Sequence, residues 1–170
     1  MRSILFLLFP LPLLAACELA GPSDTFSMTG RWTVQLVING SGGDHDWWQG
    51  TDFDFSFQCT GPATLTLKDT GQGITGTNVG TLTCSYWSQN HGSESRWATP
   101  VSLNGDVVGD RSSAAVMLQV SCFTTSSTGL ALAGSMTADG AASGSISGQA
   151  ADCGLYFLTT LSGRWSATRD

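Results

Sequence analysis

From residue 29 onward, apolar and polar residues alternate with a period of two. Trp32, Val34, Leu36 and Ile38 share one face, with Thr33 and Gln35 between them and Val37 as the exception. Phe53, Phe55, Phe57 and Cys59 alternate with Asp54, Ser56 and Gln58, and Leu65 and Leu67 with Thr64, Thr66 and Lys68. Leu82, Cys84 and Tyr86 alternate with Thr81, Thr83 and Ser85; Val116, Leu118, Val120 and Cys122 form another such face, as do Leu130 and Leu132. Successive side chains of an extended strand point to opposite sides, so this pattern predicts antiparallel strands with one buried face. No window of helical length carries a 3.6-residue period.

Turn-forming pairs punctuate the pattern at Asn39-Gly40, Asp69-Thr70-Gly71, Asn104-Gly105, Gly109-Asp110 and Asp139-Gly140. Together they predict about eight to ten strands near 29–38, 52–59, 63–69, 73–87 (with a break at Gly80), 101–108, 113–122, 128–137, 143–149 and 154–168 (one strand or two). The fold class is all-β: an antiparallel up-and-down barrel, with a β-sandwich as the alternative. A membrane barrel also alternates, but with its apolar face outward and with aromatic girdles, which this chain lacks. Cysteine, strand, turn, Gly/Ser/Thr-rich strand, cysteine occurs from Cys59 to Cys84 and again from Cys122 to Cys153. This is either a weak internal duplication or the sameness of Gly/Ser/Thr-rich β sequence.

Two details favour the barrel. The first strand opens on Thr29-Gly30-Arg31-Trp32 and the last on Ser162-Gly163-Arg164-Trp165; in a closed barrel these strands are neighbours. Gly30-Arg31-Trp32 also resembles the Gly-x-Trp that opens lipocalin and avidin barrels. That resemblance of architecture implies a basic residue near the last strand packing over the tryptophan, a role open to Arg164 or Arg169 at Trp32, where a cation–π contact contributes about 0.5–2 kcal/mol. The other lipocalin signatures, and the helix after the barrel, are missing.

The chain starts differently. Met1-Arg2-Ser3 precedes an apolar run from Ile4 to Ala16, about 13 residues where a bilayer span needs about 20, and broken by Pro10 and Pro12. A positive start, a short apolar core and small residues before a cut site predict a signal peptide over 1–16. Leu14-Ala15-Ala16-Cys17 resembles the lipobox of bacterial lipoproteins. The resemblance implies cleavage before Cys17, lipid on that cysteine, and a membrane-anchored envelope protein. Glu18 stands where an aspartate often marks inner-membrane retention in that family, so the resemblance implies the outer membrane. Residues 17–27 then form a lipidated tether and 28–170 a single domain, large enough for a real core.

Four cysteines follow Cys17, an even number in an exported chain, and read as two disulfides. Nearest-neighbour pairing predicts Cys59–Cys84 and Cys122–Cys153. Because 52–59 and 63–69 read as separate strands, Cys59 and Cys84 are expected two strands apart, with Cys59 at a strand end where the chain can fold across.

Thirteen Asp and Glu stand against seven Lys and Arg, a formal charge of −6. The absence of a basic patch argues against nucleic acid as a partner. There is no nucleophile elbow, phosphate loop or zinc-protease motif, so the expectation is a non-enzyme with no cofactor, no catalytic residue and no metal. His45, in Asp44-His45-Asp46 with Asp52 and Asp54 beyond, and His91 are the two histidines; neither spacing matches a metal loop. The candidate ligand-binding residues are instead Trp47, Trp48 and His45 in a first long connection (41–51), and Trp87 and Trp97 flanking a second (88–100). Long loops on a rigid barrel are where such folds carry function. Two readings follow: a binding module for a small ligand, glycan or envelope protein, or a structural envelope lipoprotein with a filled barrel. In the first, the segment from Asp44 to Asp54 takes part, and its four carboxylates favour polyol, cationic or metal-bearing partners.

Overall fold

The structure, a computed structural model, describes residues 27–46, 51–90, 93–112, 115–121, 129–137, 139–149 and 160–170. These form eight strands and no helix: β1 (Gly30–Asp46), β2 (Thr51–Asp69), β3 (Ile74–Asn90), β4 (Ser93–Ser112), β5 (Ala115–Val120), β6 (Leu130–Met136), β7 (Ala141–Gln149) and β8 (Thr160–Arg169). Each strand pairs antiparallel with the next, and β8 pairs with β1, so the sheet closes into an up-and-down barrel. The sandwich alternative is thereby set aside. The strands that carry Gly-Arg-Trp are neighbours, but the triplets are not opposite one another: Trp165 faces Leu36 and Trp32 faces Arg169.

The apolar face of each strand turns inward. Trp32, Val34, Leu82, Leu103, Leu118, Leu130, Leu132 and Leu161 are among the fully buried side chains. Outward positions such as Thr33, Gln35, Gln58, Thr66, Ser162 and Ser166 are exposed, the reverse of a barrel that faces lipid. Within the core, Asn78 is 2% exposed and neither side-chain polar atom has a hydrogen-bond partner, a burial that costs about 1–3 kcal/mol.

Several expectations need correction. The stretches 52–59 and 63–69 are one strand, β2, and β3 runs unbroken through Gly80. Cys59 and Cys84 are therefore direct cross-strand partners on adjacent strands, joined by a disulfide with Cα atoms 3.9 Å apart. The turn signals at Asn39-Gly40, Asn104-Gly105 and Gly109-Asp110 fall inside β1 and β4. At Gly40 the reason is packing, because the Phe57 ring lies where a Cβ would stand. The connections expected over 41–51 and 88–100 are mostly strand: β1 pairs with β2 as far as Asp46↔Thr51, and β3 with β4 as far as Asn90↔Ser93. Real turns occur at Asp69-Thr70-Gly71, where Gly71 has φ 78° and Thr70 N–H donates to Gly73 O, and at Asp139-Gly140.

One end of the barrel is closed by the lead-in to β1. Met28 is buried, its N–H donates to Asp69 Oδ2 (2.8 Å), and its carbonyl accepts the Trp32 Nε1–H (2.9 Å). Arg169 stands opposite Trp32 on β8 and donates to Thr29 O (2.6 Å), while Arg164 is exposed beside Val37. Of the two arginines considered for Trp32, Arg169 holds the position. The carboxylate of Asp69 also accepts Gly71 N–H and pairs with Arg111 at 3.0 Å. Burial raises its pKa, but those two backbone hydrogen bonds and the Arg111 charge outweigh it, so the net shift is downward from 3.8.

Cys122 and Cys153 lie outside the described residues. The strands they follow in sequence, β5 and β7, both end at the same end of the barrel. Non-reducing peptide mapping is expected to recover Cys122 joined to Cys153 beside Cys59–Cys84. Recovery of Cys122 or Cys153 as free thiols would defeat that pairing. Loss of the Cys59–Cys84 bridge, which closes a 25-residue separation, is expected to lower stability by about 3–4 kcal/mol in the chain-entropy account.

Candidate functional site

At the end opposite Met28, an open cleft of about 1090 Å³ is lined by residues of β1, β2, β3, β4 and β8. Its lining follows the register. Ser41, Ser56, Trp87 and Arg96 form one transverse row, and Asn39, Gln58, Ser85 and Ala98 the next. Burial alternates along each strand, and these two rows fall on the positions facing away from the core, most of them exposed. Thr160 and Ser162 of β8 belong to the lining, whereas the buried Leu161 between them does not. The row between them, Gly40, Phe57, Tyr86 and Trp97, also lines the cleft, so it borders the outer face of the sheet and this aromatic row together.

The chemistry of this surface is specific. Trp87 is half-buried and stands directly across from Arg96 on β4. Gln58 Nε2 donates to Asn39 Oδ1 at 2.9 Å, which fixes two amides side by side. Serine hydroxyls flank both pairs. A tryptophan face beside oriented amides and hydroxyls offers stacking and hydrogen bonding together.

Trp97 also lines the cleft, from the row between the two outward-facing ones. It is the cross-strand partner of Tyr86, and the two rings stack at 5.3 Å with planes 7° apart. Tyr86 in turn contacts Phe57 at 5.5 Å. Phe57 and Tyr86 are buried while Trp97 is 46% exposed, so this aromatic row reaches from the core toward solvent. Trp87 and Trp97 therefore sit on one hairpin but on opposite faces, because 87 and 86, and 96 and 97, alternate along paired strands.

His45 lies on β1 opposite Asp52, in strand and not in the loop expected for it. Trp47, Trp48 and His91 lie outside the described residues, as does Cys17. Among described residues, no cluster of three or more His, Cys, Asp or Glu is arranged to hold a metal. Sequence reasoning missed Arg96, Gln58 and Asn39: as isolated polar residues on strands they carry no motif, and only the cross-strand register aligns them. Set beside known protein families, curated proteins and solved structures, the chain matches none.

Proposed function

We propose that this protein is a lipid-anchored binding module of the cell envelope, and that the cleft around Trp87 takes a glycan. The observation that carries the reading is Trp87 held across from Arg96 in an open cleft whose other lining is Ser, Thr, Asn and Gln together with the Phe57, Tyr86 and Trp97 row. Sugars present apolar ring faces and rims of hydroxyls, which match an aromatic plane bordered by amides and hydroxyls. The cluster of buried apolar side chains that occupies the interior argues against a ligand carried within the barrel, and it equally suits the second reading, a structural envelope lipoprotein with no ligand.

The anchor and the cleft agree in direction. The described chain begins at Ser27, at the closed end. Ser27 lies ten residue steps beyond Cys17, a tether of at most about 35 Å. Lipid on Cys17 would then hold the closed end toward the membrane and turn the cleft away from it.

The test uses the full chain in detergent against immobilised glycans, with Trp87→Ala and Met117→Ala compared by thermal melting, Met117 being an exposed apolar residue of β5 outside the cleft. Trp87→Ala is expected to weaken retention at least tenfold with little change in melting, and Met117→Ala to leave retention intact. Cys17→Ser is expected to release the protein from membranes. Retention that ignores Trp87, or none on any glycan, would favour the structural reading.

A further inference from the structure

The charge of the cleft does not follow the charge of the chain. Acidic residues outnumber basic ones by 13 to 7, yet the charged residue in the described lining is an arginine, Arg96. A second concavity, of about 430 Å³, adjoins it and shares Asn39, Gln58 and Ser162 with the first. Its charged residue is again an arginine, Arg164. Their linings together run from β8 across β1, β2 and β3 to β4, with one arginine on each of the two outermost strands. Asp54 is the next outward residue of β2 beyond Ser56 and is not part of either lining.

Resting on the reading of the cleft as a glycan site, we propose that its ligand is an acidic oligosaccharide laid across these strands, stacked on Trp87, with carboxylates at Arg96 and Arg164. A guanidinium presents a planar fork of donors that matches a carboxylate with two parallel hydrogen bonds. Both arginines are exposed, so a long ligand can reach them without opening the fold. From β8 to β4 there are four interstrand gaps, roughly 19 Å along the sheet. A single sugar cannot bridge that span, so the groove selects a chain carrying more than one acid. On an acidic protein, two arginines as the charged residues of the described lining also direct an anionic ligand to this surface and away from the rest.

Acidic sugar chains come from two sources, polymers of uronic acids and carboxyl-bearing glycan strands of the cell wall. The experiment measures binding of the full chain by calorimetry to an oligogalacturonate, to the same oligomer with its carboxyls methyl-esterified, and to solubilised cell-wall glycan strands. Arg96→Gln, Arg164→Gln, Trp87→Ala and Arg31→Gln are tested in parallel, each checked for an unchanged thermal melt. Arg31 pairs with Asp170 near the closed end, outside the groove, and serves as the control. An acid chain of either source should bind, and the tighter of the two identifies the source. Arg96→Gln and Arg164→Gln should each weaken it about tenfold and flatten its salt dependence, esterification should weaken it at least tenfold, and Arg31→Gln should leave it unchanged. Equal binding of the ester, or an equal loss with Arg31→Gln, overturns acid recognition while leaving the glycan site in place if Trp87→Ala still weakens binding. No binding of acid or ester, with Trp87→Ala without effect on any glycan, overturns both.

Discussion

Trp32→Ala is expected to destabilise the fold by about 3–5 kcal/mol, the range for losing a large buried aromatic. The ring is 1% exposed and lies in the barrel core. Its indole N–H also donates to Met28 O, so truncation removes packing and leaves a buried carbonyl without its donor. Met28 and Thr29 are held over the barrel end by the same group of contacts, including Arg169 to Thr29 O. The cost therefore falls on closure as well as on core volume. For a domain of this size each kcal/mol corresponds to roughly 2–4 °C in melting temperature, so the variant should melt about 6–20 °C lower. Trp32→Phe keeps most of the packing and should recover more than half of the loss. A Trp32→Ala melt within a degree or two of the parent would show that the closed end is not built around this indole.

Asp69→Ala is expected to cost about 2–4 kcal/mol at neutral pH, because it removes the partner of Arg111 and of two backbone N–H groups. The carboxylate is 1% exposed and Arg111 is 25% exposed, so the arginine retains some water and the loss stays below that of a fully buried pair. The pH dependence has a definite sign. The folded pKa of Asp69 lies below the ordinary 3.8, so the folded state favours the ionised form. Its contribution is complete above the unfolded value and is lost as pH falls below 3.8 through the folded value. Wild type should therefore lose stability on acidification below that point more steeply than Asp69→Ala. Parallel acid slopes in urea titrations of the two proteins would mean that Asp69 is not held ionised by its neighbours.

Much of the architecture was legible in the chain. The period-two faces of Trp32 to Ile38, of Leu82 to Tyr86 and of Val116 to Val120 each lie on the strand and the face that alternation assigns, because one side of every strand must leave water. The shared Gly-Arg-Trp at the two ends pointed to neighbouring strands, and β1 pairs with β8. Asn-Gly pairs misled, since Asn39-Gly40 reads as a hairpin turn in isolation, yet the backbone there continues as strand while the Phe57 ring covers Gly40. Tertiary packing overrode local turn preference.

The candidate site divides along the same line. Trp87 and Trp97 stood out as aromatics far from the core pattern. Their opposite faces depend on the extension of β3 and β4 past the expected strand ends, which converts a loop into a hairpin with strict alternation. The acidic segment from Asp44 to Asp54 pointed to polyol or cationic partners, whereas the groove joined by register carries arginines.

By itself the sequence determined that the chain is all-β, which face of most strands is buried, and that Cys59 pairs with Cys84. Those properties depend on side-chain periodicity and on neighbours close along the chain. Tertiary structure decided the exact strand count and bounds, the lock of Asp69 on Met28 and Arg111, and the line of Arg96, Trp87, Gln58, Asn39 and Arg164 across five strands. Cross-strand register sets all of these, and register arises only when strands distant in sequence settle the pairing that buries all their apolar faces at once.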